Sequence, residues 1–376
     1  MRCENVTVIK KNYFCCMNKI SINNLVFFLI LLTVFSCSSK KTVSQTLKDT
    51  TVVEAKTKNL TVDSIKLVDN KSIYYYKNTI TASDLKKHLV KLTSDEFEGR
   101  RTGEKGQKVA ANYIADFYKN MDMEAGVSEG QYFQTIPKKF FKGKSNSSSE
   151  NVLGFIYGIE KPEEVIIISA HYDHLGIEEG KIFKGADDNG SGTAALLEIA
   201  KAFRQAYLED EGPKRSILFL SLTGEEEGLF GSKYYTENPI FAFDKTIANL
   251  NIDMVGRVDE AHKDNSNYIY LIGADKLSEE LHFISEAVNN KYTQLELDYR
   301  YNDENDINRF YYRSDHYNFA KNGIPVIFYF NGVHKDYHKS TDTEEKINYD
   351  ILAKRAQLVF LTAWELANRE ESLKRD

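Results

Sequence analysis

The chain is expected to fold as an α/β protein with a mostly parallel central sheet and helices on both faces. Three observations carry that expectation. The segments VIIIS (165–169), SILFLSL (216–222) and IPVIFYF (324–330) are apolar at nearly every position, as strands buried on both faces must be. They alternate with longer segments of helical period, the pattern left by crossover connections between parallel strands. Between the first strand and the helix after it lies GADDNGSG (185–192), an acidic connection whose glycines permit tight turns and close backbone approach. In an open α/β sheet, such a connection lies where ligands bind, beyond the carboxyl ends of the strands.

The elements follow in order. Residues 24–36, NLVFFLILLTVFS, lie downstream of Lys19 and are too short for a convincing membrane span; they read as the apolar core of a secretory signal occupying 1–36. Met17 is a second candidate start, with Asn18 and Lys19 as its polar lead. Val34-Phe35-Ser36-Cys37 resembles the lipobox of bacterial lipoproteins, whose cysteine is acylated and becomes the mature N-terminus; an uncleaved anchor is the competing reading. Either way the chain is expected to be exported and membrane-tethered, on the periplasmic side of the envelope or at the cell surface. All four cysteines (Cys3, Cys15, Cys16, Cys37) fall in this leader, so the exported part must rely on its own core. Residues 37–71, rich in Lys, Thr, Ser and Val, read as the lipobox cysteine and a flexible tether, and 72–376 as a single domain. The formal charge is -6; the segment before Cys37 carries four basic residues and one acidic, leaving the remainder near -9, which argues against a nucleic-acid partner.

Helical spacing appears at 82–92 and again at 107–121, where Val109, Tyr113, Ile114 and Phe117 recur on one face. Between them EGRRTGEKG (98–106) reads as a solvated, basic interhelix turn. Residues 131–137 and 150–157 are expected strands. The alternation then runs through strand 165–169, a helix from Thr193, strand 216–222, a helix near 231–237, strands 247–255 and 268–273, helix 278–289, strand 325–330 and a long terminal helix 349–369. Residues 292–313, charged and tyrosine-rich, fit neither period and are expected to form a loop beside the site.

Imidazoles and carboxylates recur at the expected carboxyl ends of these strands. AHYDH supplies His171, Asp173 and His174; TGEEEG supplies Glu225, Glu226 and Glu227; NIDM supplies Asp253; NGVHKDYHKSTDT supplies His334, Tyr337 and His338. Each piece alone also suits a capped turn or a solvated acidic loop. Together they crowd like charges on one sheet edge, which a cation must neutralise. Imidazole with carboxylate and no thiolate suits zinc or a similar divalent ion, and the donors exceed what one catalytic zinc needs.

The ordered motifs EGRRTGEKG, AHYDH, GADDNGSG, GEEEGLFGS, NIDMVG and DYHKSTDT resemble metallopeptidase family twenty-eight, the two-zinc aminopeptidases. The resemblance covers about 81–368 and implies the zinc-dependent exopeptidase (phosphorylase/hydrolase-like) architecture, two zinc ions and peptide substrates. Carried over by motif, Asp188 is the bridging carboxylate, His171 and Asp253 complete one metal, and Glu226 and His338 the other. Glu225 is the general base and Tyr337 the oxyanion stabiliser. Asp173 is expected to accept the other ring N–H of His171, and the Asp188–Asn189 bond is expected in cis. His174, Asp187, Glu227, His334 and Asp342 are expected outside the ligand set. Asp315 and His316 either support the site or meet substrate, with a helix cap as the plain alternative for the Ser314-Asp315 pair. A carboxypeptidase, a glutaminyl-cyclase-like enzyme of the same fold and a metal-free binding lipoprotein are the competing functions; residue specificity and oligomeric state are left open.

Overall fold

The computed structural model describes residues 60–376. The expected signal region, the Met17 start and Cys37 lie outside them. Among the described residues no helix is long and apolar enough to cross a membrane.

The expected tether gives way to packed structure before residue 72. A single 3-10 turn covers Val62–Ser64, Ile65 and Leu67 pack against the main core, and the Val68 N–H donates to Glu365 Oε2 (2.9 Å). The two apolar side chains explain the shift: burying them against the main core holds the segment down. Helix α1 (Ile73–Asn78) follows, then α2 (Ala82–Leu92), started by Thr81, whose side chain accepts the Asp84 N–H. Its Leu85, Leu89 and Leu92 recur at helical spacing and are fully buried. Helix α3 is Lys105–Asn120.

The strands are β1 (Glu124–Ala125), β2 (Phe133–Ile136), β3 (Ser149–Ile156), β4 (Lys161–His171), the hairpin pair β5 (Gly176–Glu178) and β6 (Lys181–Phe183), β7 (Arg215–Leu222), β8 (Thr246–Ile252), β9 (Tyr268–Ile272), β10 (Glu296–Asp298) and β11 (Val326–Phe330). Helices α4 (Gly192–Leu208), α5 (Phe230–Glu237), α6 (Glu279–Val288), α7 (His316–Ala320) and α8 (Tyr349–Asn368) connect or follow them. The main sheet runs β1-β3-β7-β4-β8-β11-β9-β10, with β2 also beside β3. Its central strands β7, β4, β8 and β11 are parallel; β3 on one flank and β9 on the other are antiparallel to their inner neighbours. The sheet is therefore parallel where the site is built and mixed at its edges.

Alternation along β4 supplies both cores. Ile166 and Ile168 join the larger cluster under the long helices, with Phe203 of α4 and Trp364 of α8, while Val165 and Ile167 face the smaller one with Tyr235 of α5 and Phe319 of α7. A third cluster, containing Phe310, Phe328 and Phe330, lies at the carboxyl end of β11. The segment 292–313 is less irregular than its composition suggests: β10 pairs in parallel with β9, and short 3-10 turns occupy Arg300–Asn302 and Phe310–Tyr312.

Candidate metal centre

The four central parallel strands end on one edge and deliver their next residues to one place. β4 ends at His171, β7 is followed by Glu225 and Glu226, β8 by Asp253, and β11 by the loop bearing His334, Tyr337 and His338. The fifth contributor is GADDNGSG, which coils over Ala186–Ser191 before α4 begins. Glycine is required there twice. Gly185 sits at φ +53°, where a Cβ would lie 2.2 Å from the Asp188 carbonyl oxygen, and a Cβ on Gly192 would lie 2.3 Å from Asn189 Oδ1. Asn189 pins the turn to β8: its Nδ2 donates to the Ile252 carbonyl (2.8 Å), and its Oδ1 accepts the Gly192 and Met254 N–H groups (2.9 and 3.1 Å). The Asp188–Asn189 bond is cis, as the resemblance implied.

Asp188 divides between two clusters. Its Oδ1 is 3.4 Å from His171 Nε2, which is 3.3 Å from Asp253 Oδ1; its Oδ2 is 3.1 Å from His338 Nε2, which is 3.1 Å from Glu226 Oε2. The five residues assigned by motif are thus brought together in two groups that share one carboxylate. His171, Asp188 and Asp253 are buried, whereas His338 is part-exposed. Among the described residues, no lysine or arginine pairs with Asp188, Glu225, Glu226 or Asp253; their ion-pair partners are imidazoles.

The electrostatics follow. Burial opposes ionisation of Asp188, but the His171 and His338 rings outweigh it and hold the carboxyl well below its ordinary range. Burial also works against charge on His338, yet Asp188 and Glu226 push its pKa up to about 10. The carboxylates demand positive charge and draw protons onto the rings to obtain it. Divalent cations would supply the same charge and displace those protons, so the donor set fits such ions.

Glu225 lies beside both clusters, its Oε2 4.0 Å from His171 Nε2. Burial raises its carboxyl well above the ordinary range; His171 opposes the rise, and Asp253 and Glu226 add to it. With Asp188, Asp253 and Tyr337 it lines a cleft whose remaining wall includes Phe310, Arg313, Phe328 and Phe330. Burial, with Asp188 and Glu226 nearby, raises the Tyr337 phenol, which therefore stays protonated and able to donate.

Several expectations need correction. The His171 Nδ1 lies nearer the Asp173 backbone carbonyl (3.3 Å) than its Oδ1 (3.7 Å). The Asp173 carboxylate also accepts the Thr102 hydroxyl (2.7 Å) and the Glu225 N–H (3.3 Å), so it ties the backbone of Glu225 to the turn after α2. That turn is not a solvated loop. Arg100 is 1% exposed and donates to the carbonyls of Leu92, Tyr172, Lys184 and Gly185, clamping the segments that carry the site. His174, expected outside the ligand set, joins the second cluster: its Nδ1 is 2.7 Å from Glu226 Oε1 and 3.9 Å from Asp188 Oδ2.

Asp187 and Asp342 do hold the turn from outside. Asp187 accepts the Gly256 N–H (2.7 Å) and faces His334 Nε2 (3.2 Å), while Asp342 accepts the Asp187 and Asp188 N–H groups (2.9 and 3.2 Å). Glu227 sits further out, 3.7 Å from Arg101. The residue supporting Asp253 is Ser314, whose hydroxyl donates to Oδ2 at 2.6 Å. Asp315 makes no side-chain cap to α7; it accepts the Ser232 hydroxyl (2.5 Å), and burial raises its carboxyl to about 7. His316 is buried against Phe328 (ring centroids 4.7 Å apart), which pushes its pKa down to about 3 and keeps it neutral.

Comparison with known proteins agrees with this geometry. Residues 151–363 match the model of Peptidase family M28. A probable zinc metalloprotease of Pyricularia oryzae is 26% identical over 311 residues, covering 70% of this chain and 59% of its own length, so the chain spans about three fifths of that curated relative. The LapA aminopeptidase of Legionella pneumophila superposes with a TM-score of 0.63 at 21% identity, covering 81% of this chain and 77% of that one. BSAP, a zinc aminopeptidase from Bacillus subtilis, superposes with a TM-score of 0.60 at 16% identity, covering 78% and 97% respectively. These likenesses are likenesses of fold.

Proposed function

The chain belongs to peptidase family M28, and from that premise we propose that it is a zinc-dependent aminopeptidase holding two zinc ions. The observation that carries the reading is the division of Asp188 between two nitrogen-and-carboxylate clusters. His171 and Asp253 would hold one ion, and Glu226 and His338 the other. His174, at 2.7 Å from Glu226, orients that carboxylate.

Zinc, when bound, supplies Lewis acidity that polarises the scissile carbonyl and eases deprotonation of a water. The chain's own groups do the rest. Glu225, whose carboxyl burial raises above its ordinary range, would take a proton from the attacking water and deliver it to the leaving amine. The Tyr337 O–H donates to the developing oxyanion. A peptide's free neutral amine, with its lone pair, would meet the loaded centre beside the scissile carbonyl, which favours cleavage at the N-terminus of peptides. Both clusters are complete, which weighs against a single-zinc cyclase and a metal-free binding protein.

The test is hydrolysis of a panel of aminoacyl chromogenic amides and their N-acetylated copies, after chelation and after zinc is restored. Zinc-restored cleavage confined to free-amine substrates is expected; cleavage of the acetylated copies instead would reject the aminopeptidase. We further propose that Cys37 is lipidated and tethers the enzyme to the periplasmic side of the envelope. Cys37→Ala should then move the protein from the membrane to the soluble fraction, and continued retention would overturn the lipid anchor.

A further inference from the structure

The cleft over the metal centre has an acidic floor and one basic group. Asp188, Glu225 and Asp253 line it, and Arg313 is the one cation among the described residues lining it. Its guanidinium lies over the Phe310 ring, 4.9 Å from the centroid, and among the described residues no carboxylate pairs with it. Arg313 is exposed, yet its position relative to the centre is set by its neighbour. The next residue, Ser314, is fully buried and donates its hydroxyl to Asp253 Oδ2 at 2.6 Å, and the Arg313 N–H donates to the Phe310 carbonyl at 3.0 Å. The backbone that supports a metal-facing carboxylate therefore also presents this guanidinium to the cleft.

A guanidinium held over an aromatic face with no carboxylate partner keeps its planar fork of N–H donors for a ligand. Such a fork matches a carboxylate in two parallel hydrogen bonds. Charge makes the same choice. Two divalent cations offset the four carboxylates Asp188, Glu225, Glu226 and Asp253, so the loaded centre leaves Arg313 as the uncompensated charge on the wall.

We propose that Arg313 is the specificity-determining residue of this cleft, binding a peptide carboxylate that lies beside the scissile bond. The assignment rests on the peptidase reading and narrows it to substrates that carry an anion near the N-terminus. Two sources present that group: an acidic side chain, or the terminal carboxylate of a dipeptide.

The experiment compares the zinc-loaded full-length chain with Arg313→Met, which keeps an apolar stem over Phe310, and with Arg313→Lys, which keeps the charge without the fork. Two substrate pairs separate the sources: glutamyl against leucyl nitroanilide, and Leu-Leu against Leu-Leu amide. Calorimetric binding of the two dipeptides and of glutamyl and leucyl amide is measured in a Glu225→Gln background, with and without Arg313→Met. The preference for the carboxylate-bearing member of a pair should fall roughly tenfold or more in Arg313→Met, through KM and binding rather than kcat, with Arg313→Lys between. A fall in the first pair identifies a side chain, and a fall in the second a dipeptide terminus. Unchanged ratios in both pairs, with neutral substrates cleaved, overturn Arg313 and leave the peptidase standing. Absence of all cleavage, with carboxylate binding still weakened by Arg313→Met, overturns the peptidase and leaves Arg313 standing; absence of both overturns both.

Discussion

At the scale of single residues, Asp188 and Glu225 differ in what surrounds them, and that difference separates their roles. Imidazoles face both oxygens of Asp188, at 3.4 Å from His171 and 3.1 Å from His338, and hold it ionised. Glu225 is nearly as enclosed, but its closest imidazole is 4.0 Å away, and burial together with Asp253 raises its carboxyl. On the proposed function, the first would remain charged between two cations and the second would exchange a proton. Asp188→Ala should therefore abolish binding of both ions, read as zinc per chain after dialysis. Glu225→Gln should keep both and lose roughly 10²–10⁴-fold in kcat. Two ions retained by Asp188→Ala would remove the bridging role, and near-normal turnover by Glu225→Gln would remove the base.

At the scale of elements, what could be read from the sequence is what short-range physics decides. Helix α2 lies within the expected 82–92, because its cap Thr81 and its buried stripe Leu85, Leu89 and Leu92 are all local. The hairpin β5–β6 and strand β10 were not legible, since each strand holds three residues and shows no period. The turn after α2 misled for another reason. Its glycines and charges have the composition of a solvated loop, while Arg100 is paid for by carbonyls at 92, 172, 184 and 185, most of them far away in sequence. His174 shows the same limit at the site. In AHYDH nothing local says that the second imidazole turns toward Glu226, 52 residues later, although the first sits at a strand end and so could be placed. Ser314 was legible only as half of a cap, and its true partner, Asp253, belongs to another strand end.

At the scale of the whole molecule, the sheet decides when the centre exists. The parallel order β7-β4-β8-β11 brings together groups from residue 171 to residue 338, a neighbourhood that no unfolded chain provides. The reversal of β9 beside β11 and of β3 beside β7 leaves that edge intact, which is why the convergence of the motif residues was legible although the flanking strand directions were not. Because the donors converge only in the folded state, ion binding and folding are linked. At free zinc one hundredfold above its dissociation constant, each site should add about 2.7 kcal/mol to the stability of the fold. The denaturant midpoint of the wild-type chain is therefore expected to rise with zinc and to fall after chelation, while Asp188→Ala, which disrupts both clusters, should respond to neither. A wild-type midpoint indifferent to zinc would mean that the crowded carboxylates are neutralised by the imidazole protons alone. A midpoint rising equally in both proteins would place the bound ions elsewhere on the chain.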